Sequence, residues 1–83
     1  MIEKQVKDLI EKQVNDLGVT IDSINYEKEN SNYFLRIIID SEDGIDIDKC
    51  VEVTKVVNKL LDEKDFITDS YTLEIWSKER GEQ

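Results

Sequence analysis

Proline and histidine are absent from this 83-residue chain, and cysteine occurs once, at position 50. A single cysteine makes no internal disulfide. Without histidine, the commonest metal ligand and the usual activator of a nucleophile are both missing. Cys50 is therefore a free thiol or a small core residue, consistent with a reducing compartment. No apolar run approaches the roughly 20 residues that span a bilayer. The opening Met1-Ile2-Glu3-Lys4 begins a mixed charge pattern, not the apolar segment of a signal peptide. A cytoplasmic protein with no membrane role is expected. The absence of proline is unusual for a mixed α/β domain and fits natural drift as well as a piece or a redesign of a longer chain.

Charge is what the sequence has in abundance: 20 Asp and Glu stand against 11 Lys and Arg, a formal net charge of −9. Such a balance keeps a small domain soluble and opposes binding to nucleic acid or an anionic membrane. It favours basic partners, including basic proteins that themselves sit on nucleic acid. Solubility alone is the simpler account of the acids. The length allows one domain near the lower limit of what a core supports without staples. We expect residues 1–76 to form that domain and 77–83 to form a polar tail.

Residues 2–17 place Ile2, Val6, Leu9, Ile10, Val14 and Leu17 at helical intervals. Glu3–Lys7 and Asp8–Lys12 are candidate i,i+4 pairs, and Gly18 is suited to a left-handed stop. Residues 19–28 read as a strand whose apolar parity changes between Ile21 and Ile24, which predicts a bulge at Asp22-Ser23. A polar turn at 29–32 leads to a strand over 33–40. Leu35, Ile37 and Ile39 should face the helices, leaving Phe34, Arg36, Ile38 and Asp40 on the other side. A second helix is expected over 47–61, followed by a charged connection anchored by Phe66-Ile67 and a last strand at 71–76. The order α-β-β-α-β predicts an α/β (α+β) domain: a three-stranded sheet with two helices packed on one face. The partly apolar opposite face leaves a dimer open, and Trp76 is a candidate cover for Phe34 and Ile38.

The joint between strand and second helix concentrates the acids Asp40, Glu42, Asp43, Asp46 and Asp48 around Gly44, with Lys49 as the near counter-charge. Asp46 as N-cap and Asp48 in the first turn suit the exposed amides and positive end of a helix. Gly44 suits a turn that needs a left-handed backbone, and Asp40 can close its strand end with a local hydrogen bond. Counting back six from Gly44 puts Ile39 at the first position of an EF-hand loop and Cys50 at the twelfth, so the spacing fails twice. No metal or cofactor is expected. Cys50 has no histidine to activate it, and no catalytic residue is assigned. Gly18, Gly44 and Gly81 are too scattered to cradle a nucleotide. No GxxG is present, and Arg36, Lys78 and Arg80 make at most a small basic spot, so direct nucleic-acid contact is disfavoured.

Three pieces occur in order: Leu35-Arg36-Ile37-Ile38-Ile39-Asp40 followed by Ser41-Glu42-Asp43-Gly44-Ile45, the helix opening Asp48-Lys49-Cys50, and Tyr71-Thr72-Leu73-Glu74-Ile75. In these pieces the chain resembles the N-terminal domain of the bacterial ribosome maturation factor RimP. The resemblance runs from the first helix to Ile75. It implies a non-catalytic α/β domain that assists maturation of the small (30S) ribosomal subunit through protein contacts. A second, β-barrel domain in that family is associated with binding a ribosomal protein. Arg36, Asp40, Glu42 and Asp43 become the candidate partner contacts, with Gly44 and Asp46 as structural turn and cap. The partner it implies is a basic protein of the small ribosomal subunit. Past Ile75 the family pattern turns through serine-serine-proline-glycine, whereas this chain reads Trp76-Ser77-Lys78-Glu79-Arg80-Gly81, where only Ser77 matches. That departure supports an alternative: a stand-alone or engineered acidic protein-binding scaffold with no ribosomal activity.

Overall fold

A computed structural model describes residues 1–65 and 67–78. Helix α1 spans Ile2–Asp16, strands β1 and β2 span Thr20–Glu29 and Asn32–Asp40, helix α2 spans Ile47–Lys64, and strand β3 spans Tyr71–Ser77. The strand order is β1-β2-β3, with β1 antiparallel and β3 parallel to the central β2. This is the α+β arrangement expected from the order of elements.

The apolar spacing explains how the layers meet. Val6, Ile10 and Val14 of α1 and Val53, Val57 and Leu61 of α2 are buried against Leu35, Ile37 and Ile39 of β2. Each such side chain contributes about 1.5–3 kcal/mol on leaving water. Both helices therefore lie on one face of the sheet. In β1 the register shifts between Ile21 and Ser23. That bulge lets Ile21, Ile24 and Tyr26 all pack on the core despite their mixed parity. The hairpin closes at Glu29 opposite Asn32, with Asn30 at φ 58 supplying the positive dihedral of a tight turn.

Chain ends of the helices are secured from outside. Gly18, at φ 84, takes the left-handed step after α1. That helix has no basic residue in its last turn, and Lys49 of α2 supplies one by donating from Nζ to the Leu17 carbonyl at 2.9 Å. Along α1 the pairs are Lys4–Asp8, Lys7–Glu11 and Lys12–Asp16, not the Glu3–Lys7 and Asp8–Lys12 pairs expected. The reason is Glu3, whose carboxylate leaves the helix surface to accept the Tyr26 backbone N–H at 3.2 Å. Each lysine then takes the acid one turn ahead. α2 runs to Lys64, three residues beyond the expected 61, and stops where Asp65 enters the left-handed region at φ 51. Ile67 is buried as an anchor for the connection that follows; Phe66 lies outside the described residues.

Candidate functional site

The joint after β2 is a turn followed at once by a capped helix. Asp40 Oδ1 accepts the Ser41 N–H at 2.8 Å, and the Gly44 N–H returns to the Ser41 carbonyl at 3.1 Å with Gly44 at φ 83. A side chain at that dihedral would be strained, so Gly44 is required by the backbone. Asp46 Oδ1 accepts the Lys49 N–H at 2.8 Å, which places Asp46 as the N-cap of α2. These three residues therefore have folding roles that account for their identity.

Glu42 and Asp43 are different. Both are exposed, and among the described residues neither makes an ion pair. Lys49, the nearest cation in sequence, is directed instead to Leu17 and to Glu52 at 3.2 Å. Asp40, Ser41, Glu42 and Asp43 face Gly18 and Thr20 across a hollow of about 360 Å³. Within this hollow an approaching cation meets several carboxylates at once, and an approaching phosphate meets repulsion. Among the described residues no group of three or more His, Cys, Asp or Glu is placed to hold a metal ion.

Arg36 does not join the acidic residues around that hollow. It lies four residues earlier on β2, about 13 Å along the strand, on the face away from the helices. Its guanidinium is held by Glu74 at 2.9 Å, by Glu29 at 2.9 Å and by Glu27 at 3.1 Å. It also lies over the Phe34 ring, 4.8 Å from the centroid. Hydrogen bonds donated to Glu29 and Glu74 hold the Arg36 pKa up, and the same contact holds the Glu29 carboxyl below its ordinary range. Lys78 is likewise engaged, with Asp22 at 3.1 Å. Two members of the expected basic spot thus serve acids of their own sheet, and Arg80 lies outside the described residues. Trp76 stands beside its register partner Ile38 and remains 57% exposed, with its indole N–H donating to Glu74. Phe34 is covered by Arg36, so Trp76 shields the open face only in part.

A second acidic group escaped the sequence reading. Asp62, Asp65 and Asp69 gather at the far end of α2, around a cleft of about 460 Å³ that also touches Tyr71 and Leu73. The available signal was in Asp62 and Asp65: acids at the end of a helix oppose its dipole. Dispersed through a charged connection, they read as ordinary solvated loop residues.

The architecture is a small two-layer α+β domain with an acidic group near each end of α2. The profile of the RimP N-terminal domain family matches residues 9–78. The chain belongs to that family, which is one of ribosome maturation factors. Interaction with a ribosomal subunit is the general role this membership carries. No helix among the described residues is long and apolar enough to cross a membrane.

Proposed function

We propose that this domain, residues 1–76, assists maturation of the small (30S) ribosomal subunit in the cytoplasm by holding a basic ribosomal protein, and performs no catalysis. The observation that carries the reading is the pair Glu42 and Asp43: exposed, without an ion pair among the described residues, and set beside Asp40 on the rim of one hollow. The capping and turn roles of Asp46 and Gly44 leave these two acids unexplained by folding. A basic protein surface gains from several carboxylates on a rigid corner, mainly in encounter rate and specificity. RNA meets the repulsion of the same corner. Arg36 acts from a distance, by fixing the open face of the sheet.

The test is retention of purified small-subunit proteins on the immobilised chain at two salt concentrations. A basic protein should be held at low salt and released at high salt. The double substitution Glu42→Gln, Asp43→Asn should weaken that retention by about three- to tenfold, as expected for two exposed charge contacts. Absence of retention at low salt, or equal retention by the double variant, would overturn the assignment and leave the domain as an acidic scaffold without ribosomal activity.

A further inference from the structure

The two edges of the sheet are treated differently. On β1, Glu3 occupies the outward Tyr26 N–H, the bulge interrupts the strand at Asp22, and Glu27, Lys28 and Glu29 line its end. These are the usual means of discouraging a further strand. β3 has fewer of them: seven residues with no bulge, no proline, and Glu74 as its one charge.

Which backbone groups β3 turns outward follows from its pairing. In a parallel ladder, alternate residues direct both N–H and C=O to the same neighbour. Lys78 donates its N–H to the Ile39 carbonyl at 2.7 Å, so the even-numbered residues face β2. Tyr71, Leu73, Ile75 and Ser77 therefore turn their backbone groups away from the sheet. Among the described residues one partner reaches that row, the Cys50 thiol, 3.7 Å from the Ile75 carbonyl oxygen.

Both sides of this edge are acidic. On the helix side it borders the 460 Å³ cleft, where Asp62, Asp65 and Asp69 make no ion pair among the described residues. Their field contributes to Tyr71, whose pKa is raised by burial first and then by Asp62 and Asp65. On the open side stand Glu74 and the exposed Trp76. There Glu27, Glu29 and Glu74 outnumber Arg36, which they share.

We propose that the β3 edge is the docking site of an extended, lysine- or arginine-bearing segment of a protein partner, which adds as a fourth strand. Its alternate side chains enter the cleft at Asp62 and Asp69 and meet Glu74 and Trp76 on the open face. Strand addition supplies affinity through the outward backbone groups, and the flanking acids select basic side chains. An ammonium or guanidinium over Trp76 gains a cation–π contact beside Glu74. A second copy of this chain is the poorer occupant, because it brings a net charge of −9 to the same acids. The β3 edge runs the length of β2, and its acidic cleft lies at the Tyr71 end, opposite Tyr33 and away from the Glu42 and Asp43 corner; the inference stands whether or not that corner binds a ribosomal protein.

The experiment uses the full chain labelled with ¹⁵N and a blocked eight-residue peptide alternating valine and lysine. Two isomers of the peptide are compared with it, each N-methylated on one of the two sets of alternate amides. The parent peptide and one isomer should bind, and the other isomer should fail, because only one set of amides faces the edge. Bound peptide should slow hydrogen exchange at Tyr71, Leu73, Ile75 and Ser77 by about tenfold or more. The double substitution Asp62→Asn, Asp69→Asn should weaken binding by about tenfold, the sum of two exposed charge contacts. Equal binding by both isomers, or unchanged exchange at those four amides, would reduce the contact to diffuse charge attraction and overturn the proposal. Concentration-dependent protection of the same amides without peptide would also overturn it, by assigning the edge to a second copy.

Discussion

The two ends of α2 carry the same residue type in opposite electrostatic settings. At the start, Asp46 accepts a backbone N–H and Asp48 sits in the first turn, both at the positive end of the helix. At the finish, Asp62 and Glu63 occupy the last turn with Lys64 as the one basic residue there, and Asp65 closes the helix at φ 51. Acids at the start satisfy orphan amides and stabilise the helix. Acids at the finish face carbonyls and oppose the dipole. The net charge of −9 thus averages two populations, one that folding explains and one that it does not.

The largest effect expected from this contrast is at the start. Asp46→Ala should lower stability by about 1 kcal/mol in urea unfolding, the usual loss of a side-chain cap. At the finish the sign should reverse. Asp65→Gly removes both a side chain from a left-handed position and a charge from the negative end, and should raise stability by about 0.5 kcal/mol. If both substitutions destabilise alike, the distinction between the two ends fails.

The smallest effect concerns the acids bound by Arg36, which belong to neither end. The Glu29 pKa lies below its ordinary value of 4.5, chiefly through its hydrogen bond from Arg36. A depressed carboxylate contributes stability above its unfolded pKa and loses it as pH falls through the folded pKa. The unfolding midpoint should therefore decline below about pH 4.5. Arg36→Gln should flatten that part of the decline, by an amount kept small through exposure and screening. An acid limb with the same slope in the variant would place its origin elsewhere.

Most of the fold was legible because its determinants are local or periodic. The stripe from Val6 to Val14 and the alternation of Leu35, Ile37 and Ile39 each specify a buried face without reference to anything distant. The bulge at Asp22 was legible as a change of parity. Where α2 ends was not, because the apolar rhythm finishes at Leu61 while hydrogen bonding carries on through Asp62, Glu63 and Lys64. The ion pairs of α1 were misassigned for a longer-range reason. Glu3 is drawn to Tyr26, 23 residues away, and the helix sequence alone contains no sign of that edge.

The site divides along the same line. Gly44 and Asp46 act on neighbours within a few residues, so their roles could be read from the chain. Arg36 was grouped with the acids of the joint through the family resemblance. Its actual partners lie on β1 and β3, and only the sheet order brings Glu27, Glu29 and Glu74 around it. The cleft at Asp62 and Asp69 needed the third dimension too, since the two residues flank a connection and meet only when β3 folds back beside α2.

The grip of Glu3 on Tyr26 has a consequence for assembly stoichiometry. A sheet open on both sides can receive a strand on one and offer itself on the other, and growth of that kind has no natural end. Here one side is blunted: Glu3 of the molecule's own first helix takes the Tyr26 N–H, and a bulge interrupts the strand. A strand added at β3 therefore completes a pair without leaving an equally open edge behind it. That separates a binding module from the seed of a fibre.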